Sequence, residues 1–312
     1  MFQAGGNRLA RRDQWRSASR ANSGRPGSRP IVLALLFAIL LAGCAPGGQT
    51  ARPPRAAAAI LTTPMPAPTA TPTPDPMIAQ NAQRGCAPTA PTPPTEVVYT
   101  GKRQGQSAPA PNEVALTFDD GPTPYSSPAI LSVLEQTHTP ATVFVEGQYV
   151  HEWPYLLQRE WNDGFAIAVH TWDHPMMSKL SADQMNHQFG DTVKAIHQIL
   201  GANACVWLWR PPYGDYNRAV LNMAAGYGLT TVTWDDSSDD WDRPGVQKIV
   251  NNVLTQAHPG AIILMHDGPS FRDQTAAAIP GILDGLRARG LTPVTLPRLL
   301  ADGGYPVQVP HS

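Results

Sequence analysis

Five short stretches of this 312-residue chain gather acid, base and metal-ligand side chains. They are Asp119-Asp120-Gly121-Pro122, His170-Thr171-Trp172-Asp173-His174, Arg210-Pro211-Pro212-Tyr213-Gly214, the acidic run from Asp235 to Trp241, and Leu264-Met265-His266-Asp267. Two histidines four apart plus a carboxylate suit a divalent ion such as zinc, with positions left open for water. Neighbouring aspartates point different ways, so one can ligate such an ion while the other reaches the water on it. A carboxylate completes the deprotonation of that acidified water, which makes the set competent for hydrolysis. Taken singly, each stretch is bland: Asp-Gly-Pro is a common turn, and an acidic run is usually a solvated loop. Their weight comes from where the chain puts them.

From Glu113 onward, short apolar runs alternate with helical patterns. Strands are expected at Val114–Phe118, Thr142–Val145, Ala166–His170, Val206–Trp209, Thr230–Trp234, Ala261–Met265 and Thr292–Thr295. Helical patterns cover Pro128–Gln136, Ser181–Leu200, Arg218–Tyr227, Val246–Ala257 and Thr275–Arg289. Ser181-Ala182-Asp183-Gln184 reads as a capping box, and Gly201, Gly228, Gly260 and Gly290 stand where helices end. Strand–helix alternation about seven times over predicts a parallel α/β sheet closed as a barrel. Functional side chains of such a barrel collect at the C-terminal ends of its strands. Five of the seven expected strands run straight into one of the chemical stretches, so all five converge on one rim.

Charge is segregated along the chain. Residues 1–43 carry seven arginines and one aspartate, whereas residues 113–312 carry eleven basic against 21 acidic groups, a net of −10. An acidic body argues against a nucleic-acid partner, because phosphate binding needs clustered Lys and Arg. The arginine-rich start precedes an apolar run, Ile31–Leu41, which reads as a secretory signal over residues 1–43. Its 13 residues to Gly43 would span about 20 Å as helix, short of a membrane core. Leu41-Ala42-Gly43-Cys44 is similar to a bacterial lipoprotein signal, implying a lipid anchor on Cys44, export, and display on the outer face of a bacterial membrane. Residues 44–112 hold fifteen of the 33 prolines and read as an extended tether, followed by a folded body at 113–305 and a tail at 306–312. Cys86 and Cys205 remain; outside the cytoplasm they either pair or stay as two thiols, and the sequence leaves both open.

The stretch Thr117-Phe118-Asp119-Asp120-Gly121-Pro122, with the four other motifs in order, resembles the NodB-type polysaccharide deacetylases, carbohydrate esterase family four. Pro140 to Val145 and Lys179-Leu180-Ser181 are similar to that family as well, and the likeness covers roughly 111–301. It implies a distorted (β/α)7 barrel and metal-dependent removal of acetyl groups from N-acetylated sugars. By the resemblance, Asp120, His170 and His174 hold one divalent ion, zinc first, with cobalt or nickel open, and Asp119 is the general base. Arg210 pairs with Asp119, Thr171 shapes the histidine loop, and the backbone N–H of Tyr213 serves the oxyanion. His266 is the general acid, oriented by Asp240, while Trp241 and Leu264 line the acetyl pocket. One position departs from the family: three residues before Asp240-Trp241 an aspartate is usual, and here Ser237 stands there with Asp236 one place early.

The expected substrate is an extracytoplasmic polysaccharide, peptidoglycan first, with poly-N-acetylglucosamine, chitin oligomers and acetylated xylan open. Trp172, Tyr125 and Tyr149 can supply sugar-stacking surface or packing. No protein partner is implied. His187 and His197 read as helix-surface groups, and His138, His151, His258 and His311 as loop or tail residues. Two rival readings are a catalytically silent carbohydrate-binding lipoprotein and a non-heme iron oxygenase. The second leaves Asp119, Arg210 and His266 without roles.

Overall fold

The computed structural model describes residues 96–102, 112–202 and 204–305. The signal segment, Cys44, most of the Pro-rich stretch, Cys86 and the tail lie outside the described residues. Cys205 is disulfide-bonded. Among the described residues, no helix is long and apolar enough to cross a membrane.

The chain lays down β1 (Glu113–Gly121), α1 (Ser127–Gln136), β2 (Thr142–Val145), α2 (Gly147–Glu152), α3 (Pro154–Asn162) and β3 (Ala166–Val169). Next come α4 (Ala182–Asn186), a π turn (His187–Asp191), α5 (Thr192–Leu200), β4 (Leu208–Trp209), α6 (Arg218–Gly226), β5 (Thr230–Thr231) and β6 (Asp236–Ser237). The last elements are α7 (Val246–Gln256), β7 (Ile262–His266), α8 (Asp273–Ala288), β8 (Thr292–Val294) and α9 (Leu296–Asp302). Every strand pairing is parallel, in the order β5-β4-β3-β2-β1-β7-β6. The sheet curls as the expected distorted barrel but stays open, since among the described residues its two end strands, β5 and β6, do not pair with each other, and one strand changes membership. The seventh strand is β6, cut from the acidic run, whereas β8 pairs with the first residues of β1, on the flank that β2 leaves free.

Alternation along the strands builds two layers. Leu116, Phe118, Val143, Val145, Ile167, Val169, Ile263 and Met265 face the helices. Residues of the other parity, Ala115, Phe144, Ala168, Leu208, Val232 and Ile262, fill the barrel interior. Continuing that parity upward brings Thr117, Asp119, Glu146, His170, Arg210, Leu264 and His266 onto the inner face. The capping box forms as expected, Ser181 and Gln184 exchanging hydrogen bonds. Gly201, Gly228 and Gly290 end helices at positive φ, whereas Gly260, also at positive φ, stands four residues past α7 in the turn before β7. Residues 182–200 run as one helical segment, as expected, with the π turn set into it at His187–Asp191.

The body begins earlier than residue 113. Val98 is fully buried in the interior cluster, bridges Val232 beside β5, and exchanges backbone hydrogen bonds with Thr231 and Thr233. Gly101 then donates to the Gly260 carbonyl just before β7, so the segment runs from the end of β5 to the base of β7, where it meets α9. Sequence placed this segment in the tether because prolines surround it; three apolar residues, Val97-Val98-Tyr99, are too short a run to read as a strand. Val98→Ala should cost about 2 kcal/mol and lower Tm by roughly 4–8 °C in a thermal melt. An unchanged Tm would mean that this segment contributes nothing to the core.

Candidate active site

The two aspartates are brought together by a bulge. β1 and β2 run in register to Asp119 opposite Phe144, but the next pair is Gly121 opposite Val145, leaving Asp120 as an extra residue. Its φ of +75° lies in the left-handed region that Asp tolerates better than most side chains. Both carboxylates therefore reach one imidazole: His170 Nε2 is 3.3 Å from Asp120 Oδ1 and 3.8 Å from Asp119 Oδ2. Close packing fixes the bulge. A Cβ on Gly268 would stand 1.9 Å from the Asp120 carbonyl, and one on Gly121 would stand 2.1 Å from Asp267.

Each histidine is oriented by a second contact. His170 Nδ1 lies 2.9 Å from the Arg210 carbonyl, which can only accept, so Nδ1 carries the proton and Nε2 turns its lone pair to the site. His174 Nε2 lies 3.4 Å from Asp120 Oδ1, and its backbone N–H donates to Thr171 Oγ1. Thr171 and His174 both have positive φ, 71° and 62°, so the loop between them is strained and needs ties. Gln188, from the π turn, supplies them. Its Oε1 accepts the N–H groups of Trp172 and Asp173, and its Nε2 donates to Asp173.

Arg210 is buried completely and spans the barrel interior from β4 to β1. Its Nη1 donates to Asp119 Oδ1 at 2.7 Å and to Thr117 Oγ1 at 2.9 Å, and its Nη2 to the Thr233 carbonyl. The guanidinium lies 4.1 Å from the Phe144 ring centroid. Asp119 Oδ1 is thus occupied, while Oδ2 faces the histidines.

His266 closes the opposite wall. Asp240 Oδ1 accepts from His266 Nδ1 at 2.7 Å, and Oδ2 accepts from the His266 backbone N–H and from Thr275 Oγ1. Burial pulls the imidazole pKa down, but Asp240 and then Asp120 and Asp119 outweigh it and lift it to about 9. The Ser237 departure leaves this pair intact. Asp236 is fully buried on β6, with Asp235, His258, Asp239 and Arg289 as its charge neighbours, none of them a site group.

Tyr213 sits half-exposed at φ +58°, its ring edge-on to His174 at 4.6 Å. Leu264 is buried on the inner face of β7, opposite Thr117, and half-buried Trp241 follows Asp240 in a one-turn helix. Trp172 packs against the core and over Gly147, so it is a structural ring. His187 and His258 pair with Asp191 and Asp235, at the surface. His151 lies on α2 rather than in a loop. Sequence reasoning missed Glu146, 2% exposed at the end of β2; burial and then the Asp120 charge push its pKa to about 8. A reading of every strand end would have found it, since it follows Val145 directly. Thr275 and Gln188 gave no signal, because both act from helices.

Comparison with known proteins bears on this arrangement. A family model described as "Polysaccharide deacetylase" matches residues 106–232. The chain is 39% identical over 213 residues to a chitooligosaccharide deacetylase of Sinorhizobium fredii, covering 65% of this chain and 97% of that one. The chain belongs to the polysaccharide deacetylase family, carbohydrate esterase family four. The deacetylase domain is also 38% identical over 189 residues to a peptidoglycan-N-acetylglucosamine deacetylase of Bacillus cereus, covering 60% of this chain and 87% of that one. The crystal structure of the Bc1960 peptidoglycan N-acetylglucosamine deacetylase superposes with a TM-score of 0.61 at 31% identity, over 66% of this chain and 92% of that one.

Asp120, His170 and His174 fit a divalent ion. Their ligand atoms lie within 4.8 Å of one another, and Asp120 Oδ1 is buried with no hydrogen-bond partner. A bare buried carboxylate oxygen is costly, and a cation in the triangle of two imidazole nitrogens and that oxygen satisfies it. Asn at position 120 keeps the positive φ and removes the charge. Zinc titrated into the full chain should therefore raise Tm, by the equivalent of about 2.7 kcal/mol at a hundredfold excess over Kd. Asp120→Asn should lose that rise while melting near the metal-free parent. An equal zinc response in both would remove Asp120 from the ligand set.

Proposed function

We propose that this deacetylase domain removes N-acetyl groups from an exported N-acetylglucosamine polymer, with peptidoglycan as the first substrate to test. Asp120, His170 and His174 hold one divalent ion, zinc before cobalt or nickel, and the unpartnered Oδ1 of Asp120 is the observation that carries this reading. When bound, the ion acidifies a water and polarises the acetyl carbonyl. Asp119 takes the water proton on Oδ2, since Arg210 occupies Oδ1. Water oxygen adds to the acyl carbon, and the Tyr213 backbone N–H stabilises the oxyanion. His266 then gives its Nε2 proton to the sugar nitrogen as the C–N bond breaks, releasing acetate and a free amine. Asp240 holds that imidazole cationic and aimed. Leu264 and Trp241 enclose the acetyl methyl. Export and a lipid on Cys44 deliver the domain to its polymer, in keeping with the signal-like residues 31–44.

A catalytically silent carbohydrate binder is the rival reading. It leaves Arg210, Asp119, His266 and Asp240 without cause for their buried pairing. The full chain with zinc should release acetate from peptidoglycan or N-acetylglucosamine oligomers. Chelator should stop it, and Asp119→Asn should lower kcat/KM by roughly 10²–10⁴. No acetate on any of these substrates, with zinc, cobalt or nickel restored, would put the binder first.

His266 must be protonated to act, and its pKa is about 9, so activity falls as pH rises through that region. Asp240→Asn removes the strongest group that lifts the imidazole pKa. The alkaline limb of the kcat/KM profile should then move toward neutrality by roughly one unit or more. A limb that stays in place would assign it to another group.

A further inference from the structure

The most exposed large hydrophobic side chains among the described residues are Phe271 at 66% and Tyr125 at 64%, and they touch. Their ring centroids are 6.3 Å apart, edge to face. Tyr125 meets Trp153 at 6.2 Å, and Trp153 stacks on Tyr149 at 5.2 Å. None of the four belongs to either core cluster. They come from three separate segments: the β1–α1 loop, α2 with its junction to α3, and the β7–α8 loop. Tyr125 follows the Asp119–Asp120 bulge by five residues and Phe271 follows His266 by five, so both stand on loops that lead away from the catalytic rim. The other end, Tyr149, is the one beside the site: burial and then the charges of Glu146 and Asp120 raise its hydroxyl pKa.

Rings that pack on one another at the surface, outside the core, mark a recognition surface. The row is one ring wide, and three of its four rings carry a hydroxyl or an indole N–H, which suits a partner with both apolar faces and hydroxyls. The body's net charge of −10 disfavours anionic lipid or nucleic acid, and no Lys lies within the segments that supply the rings. Resting on the deacetylase reading of the adjoining pocket, we propose that Tyr149, Trp153, Tyr125 and Phe271 form a stacking track for unreacted sugars of a polymeric substrate. Ring centroids stand 5.2 to 6.3 Å apart; pyranose C–H faces lie on the exposed rings of Tyr125 and Phe271, and the stacked pair Trp153–Tyr149 joins these to the pocket that the acetylated residue occupies. The track selects long chains over short oligomers, because a disaccharide in the pocket reaches Tyr149 but not Tyr125 and Phe271 at the far end.

Two measurements on the full chain test this. In the first, Asp119→Asn is pelleted with insoluble peptidoglycan or chitin, alone and with Tyr125→Ala plus Phe271→Ala. The double change should weaken the apparent Kd about tenfold or more, while Tyr155→Ala, an exposed tyrosine off the row, should not. In the second, acetate release is compared on polymer and disaccharide. The polymer-to-disaccharide ratio of kcat/KM should fall about tenfold in the double variant, through KM. Equal pelleting, an equal loss from Tyr155→Ala, or an unchanged ratio would overturn the track. If the parent releases no acetate yet pelleting still depends on Tyr125 and Phe271, the deacetylase reading fails and the track stands.

Discussion

A positive charge with no access to water governs this site. The Arg210 guanidinium lies inside the barrel, and an unpaired buried cation would cost several kcal/mol. Its offset is Asp119, backed by the Thr117 hydroxyl, the Thr233 carbonyl and the face of Phe144. That one requirement ties β4, β1 and β2 into a fixed relation. The same residue's carbonyl fixes the tautomer of His170. Base, metal-facing imidazole and barrel interior are therefore positioned by a single side chain and its own backbone.

Strain gathers where the chemistry does. Of the seven non-glycine residues with positive φ among the described residues, five, Asp120, Thr171, His174, Tyr213 and Asp239, lie at the rim, and His138 and Arg243 lie elsewhere. Each such residue carries a cost that its surroundings must offset. The offsets here are polar and short in reach: Thr171 Oγ1 to His174, Gln188 across the histidine loop, Ser238 Oγ to the Asp240 N–H, and Asp215 to Ser178. The π turn belongs with these, since it is the element that carries Gln188.

Most of the chemistry was legible because it follows strand ends. Asp119, Asp120, His170, His174, Arg210 and His266 sit where apolar runs stop, and a parallel barrel gathers those points without further information. The strands themselves are apolar enough to stand out, as Thr142–Val145 does. The misses share a cause. β6 is an Asp-Ser pair whose ladder partner is distant in sequence, so its polar composition hid it. Helices α2 and α3 are short, and Pro154 divides them, which leaves no periodic window long enough to read. Glu146 was visible in principle, whereas Thr275 became relevant only once α8 was packed beside Asp240.

Residues 96–102 fix where the polypeptide joins its catalytic body. They enter beside the C-terminal end of β5, where Val98 bonds Thr231 and Thr233, and reach the turn that opens β7 only at Gly101. The Thr233 carbonyl also accepts from Arg210. Whatever is attached ahead of Glu96 is thus fastened to the wall of the site, and load on the incoming chain falls on the strand end that steadies the buried guanidinium.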